Sequence, residues 1–384
     1  MPSVPATSLD LGSAAFVADP YPSLAHERER HEVAWHEPSG MYLAFSHAAV
    51  GAVLRERRLG RIWRDREPTA ALEPFNLLHR NQMMENEPPD HARLRRPVAR
   101  AFNRGHVERL RPRVRALASG LLEQVDPAGF DLVGDYAEPL PVLVIAELLG
   151  VPSAHADDLR DWSQAIVRMY EVAPSAEVQA AAVAAATDFA GLVRELVGER
   201  RTSPREDLMS DLAATELSDD EVVAAVVLLL NAGHEASVNV FGNGMVSALR
   251  RGLRPGQDPE PAVEEMLRFD SALQLFERTA TEDVEVAGIV VEQGQKIAAL
   301  LGSANRDATV FERADEMVLD RDPNPHVAFG AGVHFCLGAP LARMELAESL
   351  ALLDATYPGL ELREEPGSRG TFVLRGYESV PVRA

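Results

Sequence analysis

Cysteine is almost missing from this chain. One thiol, Cys336, serves 384 residues, which excludes an intramolecular disulfide framework and fits a reducing compartment. It equally excludes a built-in iron–sulfur cluster, which usually takes four thiolates, and no flavin motif stands in for one. Met1-Pro-Ser-Val-Pro-Ala6 has no basic stretch running into an apolar one, so no secretory leader is expected. The longest apolar run, Val222 to Leu230, falls far short of the roughly 20 residues of a spanning helix, so no membrane segment is expected and a cytoplasmic protein is. Positive charge is scarce: 38 Lys and Arg face 59 Asp and Glu, a formal net charge of −21. That balance argues against general nucleic-acid binding, which needs a basic footprint. Repeats, low-complexity tracts and long linkers are also missing, and one cooperative domain over residues 1–384 is the expectation.

What is present is 46% hydrophobic and 25% charged, enough apolar material for a large core in a water-facing protein. Helical patterns dominate from about Pro88 to Leu267, including the alanine-rich Ala176 to Arg201 region. Thr281 to Val291 alternates acidic and β-branched residues around Gly288, and Thr371 to Val382 reads similarly around Arg375-Gly376, which predicts short strands and turns. The fold class expected is mainly α with small β-sheets. Ser218 and Glu221 have capping-box spacing, so a helix should start there and run to about Arg250, roughly 45 to 50 Å. Its first half is apolar on every side, which demands burial. Asn231, Gly233, His234, Glu235, Ser237 and Asn239 follow at once, and polar groups in a buried helix suggest a water-containing active site. Arg93, Arg95, Arg96, Arg100 and Arg104 cluster in one short helical stretch, readable as a solvated face or as a docking patch for an acidic partner.

Cys336 sits in Phe329-Gly-Ala-Gly332-Val-His334-Phe-Cys336-Leu-Gly338. Leu341, Met344, Leu346, Leu350 and Leu353 form an apolar helix face just beyond, with Ala339-Pro340 at the helix start. Free amides at such a start lower a thiol pKa, and Gly330, Gly332 and Gly338 let backbone approach a flat group. The plain alternative is a buried structural cysteine.

This stretch resembles the haem-ligating loop of the cytochrome P450 family, and the resemblance extends over roughly Pro88 to Ala384 through motifs in the family's order. Glu265-Met-Leu-Arg268 is similar to the ExxR helix, although Glu27/Arg30 and Glu108/Arg111 share its spacing. His91-Ala-Arg-Leu-Arg95, after Glu87-Pro-Pro-Asp90, resembles the helix whose histidine and arginine bind haem propionates, and Arg278 and His334 match the other propionate partners. Asn305-Arg306-Asp307 matches a further family segment, with Ala308 in place of its proline. Ala232-Gly233-His234-Glu235-Ala236-Ser237 is similar to the oxygen-activating segment of the long central helix, where Gly233 would leave space for dioxygen and Glu235 would deliver protons.

The resemblance implies haem b (iron protoporphyrin IX) between the central helix and the cysteine-loop helix, with Cys336 as iron ligand and His91, Arg95, Arg278 and His334 holding the cofactor. It implies a monooxygenase that activates dioxygen to oxidise a small organic molecule, a specialised or secondary metabolite. Electrons would come from a ferredoxin and its NAD(P)H-dependent reductase. Substrate contacts are expected from the loop before His91, from Ile166 to Tyr170, from Leu273, Leu275 and Phe276, and from the Arg375 turn. Ala236 departs from the family, which has threonine there. Either a substrate hydroxyl or water replaces the lost group, or Ser237 acts through a helix distortion, or the chemistry uses peroxide or fewer protons. A peroxide-driven oxidase and a non-catalytic haem-binding partner protein are the alternative functions.

Overall fold

The computed structural model describes residues 4–171 and 174–384. Its centre is the helix Asp219–Leu249 of 31 residues, about 46 Å long. Ser218 caps it as expected: its hydroxyl accepts from the Glu221 amide at 3.3 Å while the Glu221 carboxylate accepts from the Ser218 amide at 2.9 Å. Asp219, Asp220 and Glu221 in the first turn complement the helix dipole. The helix is long and apolar enough to cross a membrane by composition, yet 78% of its most apolar window is buried inside the protein. Helices Glu73–Arg80, Pro139–Leu149, Ala156–Val167, Ala176–Thr202 and Glu260–Phe269 pack around it, which is how an all-round apolar helix escapes water.

A smaller layer holds six short strands side by side, in the order Ala6–Thr7, Val33–His36, Met41–Ala44, Lys296–Leu300, Leu275–Ala280 and Leu59–Gly60. The sheet is mixed, since Met41–Ala44 runs parallel to Lys296–Leu300 and Leu275–Ala280 runs antiparallel to it. The alternating stretch around Gly288 forms the hairpin Val284–Val286 with Ile289–Val291. Its turn residues Ala287 and Gly288 have φ of 48° and 76°, the pair of left-handed conformations that suits the strand twist. Near the C-terminus, Gly367–Ser368 pairs with Tyr377–Ser379, so Arg375-Gly376 lies in the connection. The mainly α architecture with small sheets stands.

The basic stretch is divided. Helix Asp90–Ala99 ends at Arg100, and the Asn103 side chain, accepting from the His106 amide at 2.9 Å, caps a second helix Arg104–Leu122. The expectation of five arginines on one helix is therefore corrected: the cap splits the run. Arg93 is tied to Glu221 at 2.6 Å, anchoring the first of these helices to the start of the central one.

Candidate active site

The cysteine loop is shaped by close approach. Gly330 and Gly332 have φ of 68° and 71°, and a Cβ on Gly332 would lie 2.5 Å from the Leu54 carbonyl oxygen, so that position admits no side chain. The Cys336 amide donates to the Phe329 carbonyl at 2.9 Å, closing the loop. Helix Ala339–Thr356 begins beyond it with Pro340 in the first turn. Burial pushes the Cys336 thiol up, against the Gly338 and Ala339 amides and the more distant Arg95 and Arg343, which pull it down. The expected lowering by the helix start is present but outweighed. A half-buried sulfur pulled both ways suits a bound metal ion, which holds a thiolate outright.

Near this loop three of the four expected carboxylate partners, His91, Arg278 and His334, face Glu87, and the fourth, Arg95, reaches the loop backbone. His334 Nε2 lies 2.7 Å from Glu87 Oε1, which also accepts from the Arg61 amide at 2.7 Å. The rings of His91 and His334 are 4.6 Å apart, and Arg95 donates to the Phe335 carbonyl at 2.8 Å. Arg278 is 3% exposed and, with Arg61, lies over the Phe276 ring at 5.5 and 5.1 Å. Burial, then His334 and Arg95, push His91 down to about 4. Burial, then Arg61, push Arg278 down to about 10. His91 Nε2 is buried without a hydrogen-bond partner. Glu85 pairs with Arg61 as well, yet no carboxylate reaches the orphaned imidazole nitrogen or hydrogen-bonds Arg278 among the described residues, which fits a group carrying further negative charge. Arg61 was not anticipated; the Arg-rich run around it held no motif to single it out.

On the central helix, Ala232 and Ala236 are exposed within an otherwise buried stretch and Gly233 is half-buried. Positions i and i+4 share a face, so this pair lines an opening. A Cβ on Gly233 would meet Ile145 Cγ1 at 3.2 Å. Gly233 thus also accommodates Ile145 of helix Pro139–Leu149, while Ala232 and Ala236 border the opening beside it. Ser237 turns elsewhere, lining a small cavity with Tyr136, Phe241 and Glu345. The helix runs unbroken through it, so no distortion brings its hydroxyl to the Ala236 face. Burial pushes Glu345 up to about 8. Glu235 is 3% exposed, accepts from Arg369 at 2.7 Å through Oε2, and has no partner for Oε1. Arg369, from the C-terminal connection, carried no local signal in the sequence.

Among known proteins, a family model described as Cytochrome P450 matches residues 260–353. Nocardicin C N-oxygenase of Nocardia uniformis subsp. tsuyamanensis is 41% identical over 359 residues, 89% of each chain. The chain belongs to the cytochrome P450 family. Vitamin D(3) 25-hydroxylase of Pseudonocardia autotrophica is 36% identical over 97% of this P450 and 96% of its own length. P450BioI, solved in complex with an acyl carrier protein bearing hexadec-9Z-enoic acid, superposes with TM-score 0.92 at 29% identity, covering 96% of this chain and 99% of that one. Ligand-free CYP164A2 of Mycobacterium smegmatis gives 0.88 at 32% identity, covering 97% and 98%. This P450 is an oxidoreductase of the monooxygenase class, and the family implies haem, dioxygen and a small-molecule substrate.

The substrate-side residues separate. Leu273 and Phe276 are half-buried against the core beneath the sheet, whereas Leu275 packs against a different cluster containing Phe16 and Leu24. Ile166 is fully buried among the helices. Tyr170 is 3.0 Å from His79 Nε2, and the His79 ring stacks on Phe75 and Trp63 at 4.0 and 4.7 Å, joining the segment before His91 to the end of helix Ala156–Val167. Arg375 leaves the expected set in this P450. Its guanidinium binds Asp270 at 2.8 Å and the Val17 and Ala18 carbonyls at 2.5 and 2.9 Å, so it staples the N-terminal segment and is fully engaged.

Proposed function

We propose that this P450 is a haem-thiolate monooxygenase of a specialised small molecule, with Cys336 as the iron ligand of haem b and His91, Arg95, Arg278 and His334 binding its carboxylates. The observation that carries the reading is the convergence of a half-buried solitary thiol with Arg95, the buried Arg278 and the unpartnered ring nitrogen of His91. Bound there, a thiolate-ligated haem supplies dioxygen activation. The chain's own part is positioning and proton supply. Ala232 and Ala236 leave room above the loop, Glu235 holds a proton source one residue from Ala236, and Arg369 fixes the outer oxygen of that carboxylate. With Ser237 turned toward Glu345, a water or a substrate hydroxyl takes the place of the hydroxyl absent at Ala236.

The substrate belongs to the kind of molecule for which relatives are named, such as nocardicin C and vitamin D(3). Electrons come from a ferredoxin and an NAD(P)H-dependent reductase, which would meet the exposed Arg96, Arg100 and Phe335 beside the cysteine loop. A single domain working in the cytoplasm completes the proposal. Its test is the reduced, carbon-monoxide-treated protein: the absorption band of sulfur-bound iron is expected, and Cys336→Ser should remove it. An unchanged spectrum in that variant overturns the assignment. A library of small molecules screened for a low-to-high-spin shift then identifies the substrate. The bare Ala236 favours one second reading, a peroxide-driven oxidase; turnover on hydrogen peroxide matching that with the reductase system would establish it.

A further inference from the structure

Both ring nitrogens of His234 are buried and neither has a hydrogen-bond partner, in a residue 1% exposed. Orphaned polar atoms in a packed interior cost free energy and call for a reason. Nδ1 lies 3.8 Å from Glu235 Oε1, which is itself buried and unpartnered, and Nε2 lies 3.9 Å from Glu138 Oε1. Each gap is about 1 Å longer than a charge-assisted hydrogen bond, so a slight turn of the ring makes either contact. His234 is two residues from both Ala232 and Ala236, about 200° round the helix, and faces away from the opening they line. It reaches the reacting side only through Glu235.

The two acids differ in access. The Glu138 side chain is 14% exposed and that of Glu235 3%. Glu138 precedes helix Pro139–Leu149, takes a hydrogen bond from Gln164 Nε2, and lies 3.9 Å from Arg369 Nη2. Burial raises its affinity for a proton, as does the neighbouring Glu235 more weakly. The charged groups facing His234 are Glu235 on its own helix, Arg369 from the C-terminal connection, Arg160 from helix Ala156–Val167, and Glu138. Burial, with the two arginines, keeps the imidazole neutral, and a neutral imidazole offers one N–H and one bare nitrogen.

We infer that His234 is a positioning residue that relays protons from Glu138, on the solvent side, to Glu235. The inference rests on the reading of Glu235 as proton source. The Glu138 carboxyl gives its proton to Nε2, the Nδ1 proton passes to Glu235 Oε1, and Glu138 is reprotonated from solvent. The ring is left neutral with its proton on Nε2 and rotates back; no electrons move.

The test uses the holoenzyme with its reductase system. His234→Phe and Glu138→Gln are each expected to lower product formed per NAD(P)H roughly tenfold, with the electrons appearing as peroxide and an enlarged solvent deuterium isotope effect on kcat. The double variant should be no worse than either single one, because one path is cut twice. His234→Gln, which keeps a polar group but shuttles no proton, should match His234→Phe and carries the test if the phenylalanine variant does not fold. A readout independent of turnover comes from 15N-histidine NMR of the ferrous carbon-monoxide form, where Glu138→Gln should shift both His234 nitrogens. Unchanged coupling in His234→Gln, or unmoved nitrogen resonances in Glu138→Gln, overturns the relay. Loss of the sulfur-bound-iron band in the parent protein overturns the underlying reading instead, so the two failures are separable.

Discussion

Glu265 and Arg268 are both 0% exposed, and neither of them carries an unpaired side-chain nitrogen or oxygen. Arg268 spends its donors on Glu265 at 2.7 and 2.8 Å and on the carbonyls of Asn305, Ala314 and Glu316 at 2.8 Å. Glu265 accepts further from the Val318 amide, Arg321 and Asn324 at 2.7, 3.1 and 3.2 Å. Glu235 and the half-buried Arg369 also form a pair, but half of it is open: Glu235 Oε1 and both nitrogens of His234 lack partners. A saturated network locks segments together, because removing any member strands the rest. An unsaturated one retains capacity for water and a mobile proton. The two pairs thus divide the labour of structure and chemistry.

The comparison breaks most sharply at Arg268. Arg268→Ala leaves Glu265 charged and buried, and a loss of about 3–5 kcal/mol is expected in urea unfolding, with poor yield of folded protein. Arg369→Ala should be milder in stability, about 1–2 kcal/mol, since Arg369 is only half-buried and makes two side-chain bonds, to Glu235 and the Tyr377 carbonyl, where Arg268 makes five. Its effect falls on chemistry: product per NAD(P)H is expected to drop roughly tenfold. Equal destabilisation in the two variants would erase the distinction. Ala236→Thr restores the family's hydroxyl beside the open half, and coupling should rise a few-fold with substrates that lack a hydroxyl, at a stability change within about 0.5 kcal/mol. Parent-like coupling and rate with every substrate would show that this position does not limit proton delivery.

The smallest effect concerns a half-open acid between these extremes. Burial alone would raise Glu264, but His326 at 2.9 Å and Arg343 at 2.6 Å outweigh it and hold the carboxyl at about 2. Its folded value lies below the ordinary 4.5, so its contribution is fully present above that pH and is lost as pH falls through about 2. Because Glu264 is partly solvated, roughly 1 kcal/mol is expected. Acid unfolding of Glu264→Gln should show a correspondingly shallower dependence on pH between those limits.

The sequence by itself determined the elements whose cause is local. The Ser218–Glu221 cap starts the central helix where expected, Gly288 marks its hairpin, and the glycines around Cys336 announce a loop that needs left-handed backbone at Gly330 and Gly332 and close approach at Gly332. His91, Arg95, Arg278 and His334 are singled out by the resemblance to the family's motifs and by no local chemistry of their own. What only the tertiary structure decided is where side chains of equal spacing point. Glu265/Arg268 and Glu27/Arg30 look alike in the chain, yet Arg30 is 54% exposed with its carboxylate 3.8 Å away, because burial depends on which segments fold over a helix face. Gly233 also accommodates Ile145, Ser237 faces Glu345, and Arg375 staples the N-terminal segment, each set by a neighbour far along the chain. Arg369 and Glu138 join Glu235 and His234 for the same reason: electrostatic partners are chosen by distance in space, on which sequence spacing is silent.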